Sequence, residues 1–245
     1  MRRSGFVLGI IIAITLLWTK PIAAQELSIS IGENGSLATT SIQLILLVTL
    51  LSLAPALAIM VTCFPFVLTV LSILRQAIGL QQSPPNMMIV SLALFLTYFV
   101  MEPVFTIAWE QGISPFLNDV IPQEQAIELV LQPFRVFMAD RLDTDTLETI
   151  SSLRMESGVT EPSPDVPLSV LLPSFMLSEI SRAFQIGFII FLPFLVIDLV
   201  VAAILMSMGM MMVPPAIVSL PFKLGFFVLA DGWSLVAGSL VRSYF

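Results

Sequence analysis

The chain has no histidine and a single cysteine, Cys63, and only 11% of its 245 residues are charged. The missing histidine removes the side chain that titrates nearest neutral pH, and with it Ser-His and Cys-His pairs and most transition-metal sites. One cysteine excludes an intramolecular disulfide, and Cys63, set in an apolar stretch, reads as a small buried hydrophobe. No G-x-x-x-x-G-K-[ST] phosphate loop occurs. A net charge of −7 offers no basic field, so nucleic acid is not an expected partner. The expectation is a non-enzyme with no metal site and no cofactor.

Apolar residues are what the chain has in excess: 57% of the total, with a mean hydropathy of +1.00. A soluble domain carries about 25% charged residues, so lipid or other chains must cover much of this surface. Arg2 and Arg3, the apolar core Phe6 to Trp18 and the small-residue end at Ala23-Ala24 read as a signal peptide over 1–24. An uncleaved first membrane helix is the alternative.

Four apolar runs follow: Ile42 to Leu74, Met87 to Trp109, Phe184 to Met206 and Ala216 to Val241. The first is too long for one span of about 20 residues and contains Pro55 and Pro65. Their order predicts two helical hairpins, with turns over Arg75–Asn86 and Ser207–Pro215. Between the hairpins, Glu110 to Asp165 holds eleven acidic residues against three basic ones, Arg135, Arg141 and Arg154. This stretch reads as a water-facing insertion of small amphipathic helices, a solvated face without chemistry. The fold class expected is therefore an all-α membrane protein: a leader (1–24), an N-terminal segment and first hairpin (25–109), an acidic insertion (110–168) and a second hairpin (169–245). A cleaved leader starts the mature chain outside, puts the Arg75 turn on the cytoplasmic side and makes the insertion periplasmic.

Ionisable groups inside apolar helices are costly and mark candidate sites. Glu102, Asp198, Lys223 and Asp231 qualify. With the second hairpin centred between Met210 and Met211, Asp198 and Lys223 fall at equal depth on antiparallel helices, so an ion pair is expected. Two readings stay open: a structural lock, or a coupling or gating pair. Glu179 and Arg182, spaced i,i+3, read as a local pair of small value.

The hairpin turn itself is unusual. Met206-Ser207-Met208-Gly209-Met210-Met211-Met212-Val213-Pro214-Pro215 is half methionine and uncharged. Methionine repacks against changing shapes, so several copies around an axis would form an apolar, deformable constriction that excludes water and ions. A buried turn with chance enrichment is the alternative. Pro103, Pro193, Pro221, Gly225 and Gly232 predict bent helices that need protein neighbours.

Two blocks of sequence resemble the FliP family. The first is Met60-Val61-Thr62-Cys63-Phe64-Pro65-Phe66, Leu74-Arg75-Gln76-Ala77-Ile78-Gly79 and Gln82-Ser83-Pro84-Pro85-Asn86. The second runs from Ala183-Phe184-Gln185-Ile186-Gly187-Phe188 through Asp198 and the Met turn to Leu220-Pro221-Phe222-Lys223. The resemblance spans about 42–245 and weakens within the acidic insertion. It implies a core subunit of the flagellar type III export gate in the bacterial inner membrane and flagellar basal body. It further implies a helical, pentameric ring of copies joined by FliQ and FliR, with FlhB and FlhA completing the apparatus and unfolded export substrates passing through. Strongly bent helices and a ring raised toward the periplasm are also implied, so that partners as well as membrane lipid cover the apolar runs. The family's methionine gasket falls on Met210, Met211 and Met212, with Met208 beside it, and its paired buried charges on Asp198 and Lys223. Injectisome relatives generally lack a cleaved leader, which favours the flagellar branch. The rival from another class is a small-solute transporter using Asp198, Lys223 and Asp231 as a relay; the hairpins show no obvious inverted repeat, and four helices are few for alternating access.

Overall fold

The computed structural model describes residues 37–80, 84–153, 161–210 and 212–245. The expected leader and Met211 lie outside them. By contacts the chain divides into a unit up to Ser52 and a unit from Leu53 onward. The described part of the first unit belongs to helix α1 (Leu37–Met60), whose side chains from Ser41 to Ser52 are all exposed.

Among the described residues helices are joined by short turns, and there are no strands. In the second unit the end of α1 is followed by α2 (Phe64–Ile78) and α3 (Asn86–Ala108), which runs through a π turn (Trp109–Ile113) into α4 (Ser114–Leu117). The acidic insertion supplies α5 (Gln123–Asp140) and α6 (Thr144–Leu153), and the second hairpin supplies α7 (Leu168–Ser207), α8 (Pro215–Leu229) and α9 (Gly232–Arg242). Ser41–Met60, Asn86–Leu117 and Leu168–Ser207 are each long and apolar enough to cross a membrane, and α8 with α9 makes a further pair bent by 61°. The chain is an all-α membrane protein.

The long first run is two elements because the chain breaks at Val61–Cys63. Thr62 caps the break: its hydroxyl donates to Ile59 O at 2.8 Å and accepts from Phe64 N–H at 3.4 Å. Pro65 then occupies the first turn of α2, where its missing N–H costs nothing. Helix α2 buries Phe66, Val67, Val70, Leu71, Leu74, Ala77 and Ile78, one face at helical spacing, and packs chiefly along α7 and secondarily on α3. It is the central strut of the unit. Cys63 heads it, fully buried, and burial pushes its thiol up to about 12.

Helix α7 is longer than its apolar run. Forty residues at 1.5 Å each make about 60 Å, roughly twice the hydrocarbon thickness of a bilayer. Its first turns lie outside the run and carry the insertion: Val170, Leu171 and Phe175 pack with Met138, Leu142 and Leu147 into a second core. The insertion is therefore more ordered than a solvated face, with an 18-residue helix at its centre.

Two glycines mark opposite packing demands. At Gly112 in the π turn, a Cβ would lie 2.4 Å from Val130 Cγ2 and 2.9 Å from the Val130 backbone nitrogen. At Gly225 inside α8, a Cβ would meet nothing within 4 Å. Gly112→Ala is expected to destabilise the detergent-purified chain by about 1–3 kcal/mol, through forced backbone displacement. Gly225→Ala is expected to leave it unchanged or stabilise it by up to about 1 kcal/mol. Thermal unfolding of both variants checks the difference in sign.

Candidate functional site

The sequence stops α7 and restarts α8 by local chemistry. Gly209 adopts φ +75°, its N–H donates to Met206 O at 3.1 Å, and Met210 N–H donates to Leu205 O at 2.9 Å. This is the glycine-terminated stop that satisfies the last helical carbonyls. Pro214 then extends the chain and Pro215 opens α8. Met208 and Met210 flank the stop at Gly209, and Met212 precedes the restart at Pro214 and Pro215. Met208 is 67% exposed, Met210 41% and Met212 97%, so within one chain the turn presents methionine outward and is not a buried loop. Met211 falls outside the described residues.

Behind this tip the expected ion pair is present. Lys223 Nζ lies 2.5 Å from Asp198 Oδ2, with side-chain exposures of 7% and 32%. Ser219, one turn before Lys223 on α8, donates to Asp198 Oδ1 at 2.6 Å. Lys223 has a second acceptor that sequence spacing gave no sign of: Ala77 O, at 3.1 Å, in the last turn of α2. Carbonyls there lack helical partners and carry the negative end of the helix dipole, so a cation is favoured. Gly79, at φ +89°, ends α2 beside Lys223 and Leu220. The lysine thus joins three helices, whereas the spacing alone predicted a link between two. Phe194, one turn before Asp198, packs edge-on against Phe226 at 6.0 Å and continues the same antiparallel register.

The other two candidate charges lie elsewhere. Glu102 is on the exposed side of α3, with Thr106 Oγ1 at 3.4 Å. Asp231 is exposed at the break between α8 and α9, with φ +48°, and so is not inside a helix. The adjacent Gly232 is what lets Phe227 close on this bend: a Cβ there would stand 2.2 Å from the Phe227 ring. The structure does not bring Glu102 or Asp231 to the Asp198–Lys223 pair.

Sequence reasoning gave Glu179 only a local pairing with Arg182 and missed its main partner. Glu179 on α7 is fully buried, and its main partner is Arg141 at the end of α5, Nε to Oε1 2.9 Å; Arg182 is further off at 3.8 Å. The Tyr244 hydroxyl donates to the other Glu179 oxygen. Arg141 Nη1 donates to Ser243 O at 2.8 Å, and its guanidinium lies 4.0 Å from the centre of the Tyr244 ring. Burial, reinforced by the Glu179 charge, raises the Tyr244 pKa, so the phenol stays a donor. Arg141 is one of three arginines in the acidic stretch, and nothing in its spacing singles it out as the partner of Glu179.

The three-way contact of Lys223 predicts an asymmetry. Asp198→Ala leaves a buried ammonium with one carbonyl, at a cost of about 3 kcal/mol. Lys223→Met leaves a carboxylate that water and Ser219 still serve, and costs less. The swap Asp198→Lys with Lys223→Asp is expected not to restore stability, because it turns a carboxylate toward Ala77 O. Thermal unfolding of the four proteins in detergent checks this; full rescue by the swap would show a simple ion pair.

Comparison with known proteins places these features in one family. The model of the FliP family matches residues 47–240. The flagellar biosynthetic protein FliP of Caulobacter vibrioides is 49% identical over 247 residues, covering all of this chain and 92% of that protein. FliP of Pectobacterium carotovorum is 43% identical over 246 residues, covering all of this chain and 93% of its own length. FliP of Bacillus subtilis is 42% identical over 213 residues, covering 86% of this chain and 94% of that protein. The matched span includes the α2 strut, Asp198, the methionine turn and Lys223, and the chain belongs to the FliP family.

Proposed function

We propose that the chain is the pore-forming core subunit of the flagellar type III protein export gate, conducting unfolded flagellar substrates across the inner membrane and sealed at rest by its methionine turn. As a FliP-family protein it is a flagellar biosynthetic component of the export apparatus, and its apolar helices make it a multi-pass membrane protein. The observation that carries the finer reading is the outward methionine at the tip of a charge-locked hairpin. Met208, Met210 and Met212 are exposed in one chain, and an uncharged, apolar tip of this kind gains most by meeting its own copies. Their side chains would then close an apolar constriction that dewets at rest and yields to an extended chain.

In this reading Asp198 and Lys223 hold the tip in register with α2, and the pair is a lock rather than a proton relay. The gate performs no chemistry of its own; energy comes from its partners. Residues 1–24 act as the leader, 25–109 and 169–245 as the two hairpins and 110–168 as a periplasmic insertion. A pentameric ring of copies, joined by FliQ and FliR and served by FlhB and FlhA, sits in the basal body. The reach of α7 beyond a bilayer's thickness agrees with a ring raised toward the periplasm.

Replacing Met210, Met211 and Met212 together by Ala is expected to make cells expressing the assembled complex leak ions. Conductance across the membrane, with ring assembly verified by native mass spectrometry, is the measurement. An assembled triple variant that remains ion-tight would remove the methionine seal from this account.

A further inference from the structure

An apolar cavity of about 500 Å³ lies between the end of α1, α3, α5 and the first turns of α7, with Leu57, Ala58, Leu94, Phe105 and Leu172 among its walls. It reaches Arg135 on α5, and there it adjoins a second, polar cavity of about 260 Å³ that shares Leu131 and Arg135 with it. Glu128, Gln132 and Asp165 line the polar one. Arg135 lines both cavities, and its guanidinium is held in place: Nη1 donates to Pro164 O at 2.9 Å and to Val166 O at 3.0 Å. A guanidinium has five N–H donors, so others are left for a ligand.

The two cavities together are amphipathic, in a chain whose helices are built for a membrane. Exposed Tyr98 lines the apolar part, and exposed Trp109 follows beyond Phe105 in the π turn that continues α3. Such rings favour the level where hydrocarbon meets headgroups.

We propose that this paired cavity binds one membrane phospholipid with a zwitterionic headgroup. An acyl chain fills the apolar part, the phosphate meets Arg135, and the headgroup ammonium turns toward Glu128 and Asp165. Arginine suits phosphate because its planar fork donates two parallel hydrogen bonds. The two carboxylates repel a purely anionic headgroup and attract one with a terminal ammonium. An apolar helix from a second copy of the chain could fill the first cavity, but it would leave this alternation of charge unused. The proposal rests on membrane location alone, so it stands or falls separately from the export-gate reading.

The test exposes the full chain, purified in mild detergent, to a diazirine-bearing phosphatidylethanolamine and to a phosphatidylglycerol with the same acyl chains. Labelled peptides are then mapped by mass spectrometry. The phosphatidylethanolamine probe is expected to label α3 and the start of α7. Ala58→Trp fills the cavity without touching the Arg135 contacts and is expected to lower that labelling about tenfold, equivalent to about 1.4 kcal/mol. Arg135→Gln is expected to lower labelling by both lipids, whereas Glu128→Gln with Asp165→Asn is expected to abolish the preference for phosphatidylethanolamine over phosphatidylglycerol. Labelling undiminished in Ala58→Trp, or equal labelling by both lipids in the unmodified chain, would overturn the site. A chain that native mass spectrometry shows as a dimer and that takes no lipid label would assign the cavity to a second copy and overturn the proposal.

Discussion

A buried ammonium needs acceptors on more than one side, and this requirement organises the second hairpin. Lys223 can reach Asp198 only if α7 and α8 run antiparallel in one register, and Ala77 O only if α8 lies against the end of α2. Meeting both fixes the hairpin on the strut that carries most of the core. Ser219 occupies the other Asp198 oxygen. The tip beyond this anchor is then free of polar obligations, and its methionines face outward on a backbone set by Gly209, Pro214 and Pro215. The register of the hairpin and the position of its turn thus follow from one desolvated charge and the few groups able to serve it.

The other end of α7 follows the same rule with the signs reversed. A fully buried carboxylate, Glu179, draws in Arg141 from the insertion and Tyr244 from the end of the chain. Phe137 stacks on Tyr244 and packs against Phe175, so the charge cluster sits in an aromatic collar. One long helix therefore carries two charge anchors, one binding the insertion and the C-terminus, the other binding the hairpin to α2. The apolar length between them supplies surface for lipid or neighbouring subunits.

Features set by local or periodic chemistry were legible in the sequence. The all-α class followed from apolar runs, the turn over Ser207–Pro215 from the order of those runs, and the Asp198–Lys223 pair from equal distances to the turn centre. Features set by contacts distant in the chain were not. Nothing near Lys223 points to Ala77, 146 residues away, and Glu179 had a nearer apparent partner in Arg182. Asp231 looked like a charge within a helix because its neighbours are apolar, whereas its left-handed backbone ends one helix and begins another. The insertion's composition spoke of water, yet the apolar face of α5 turns inward onto α7.

The proposed seal requires methionine turns from several copies to converge on one axis. Cys63 is buried with its thiol pushed up to about 12, so a new surface cysteine can be read without removing it. The decisive measurement is oxidative cross-linking of Met212→Cys in the complex assembled with its partners. Disulfide-linked copies, absent when the cysteine is placed instead at the exposed Val120 of the insertion, are the predicted result. An intact assembly that yields no cross-link at Met212→Cys would contradict the account.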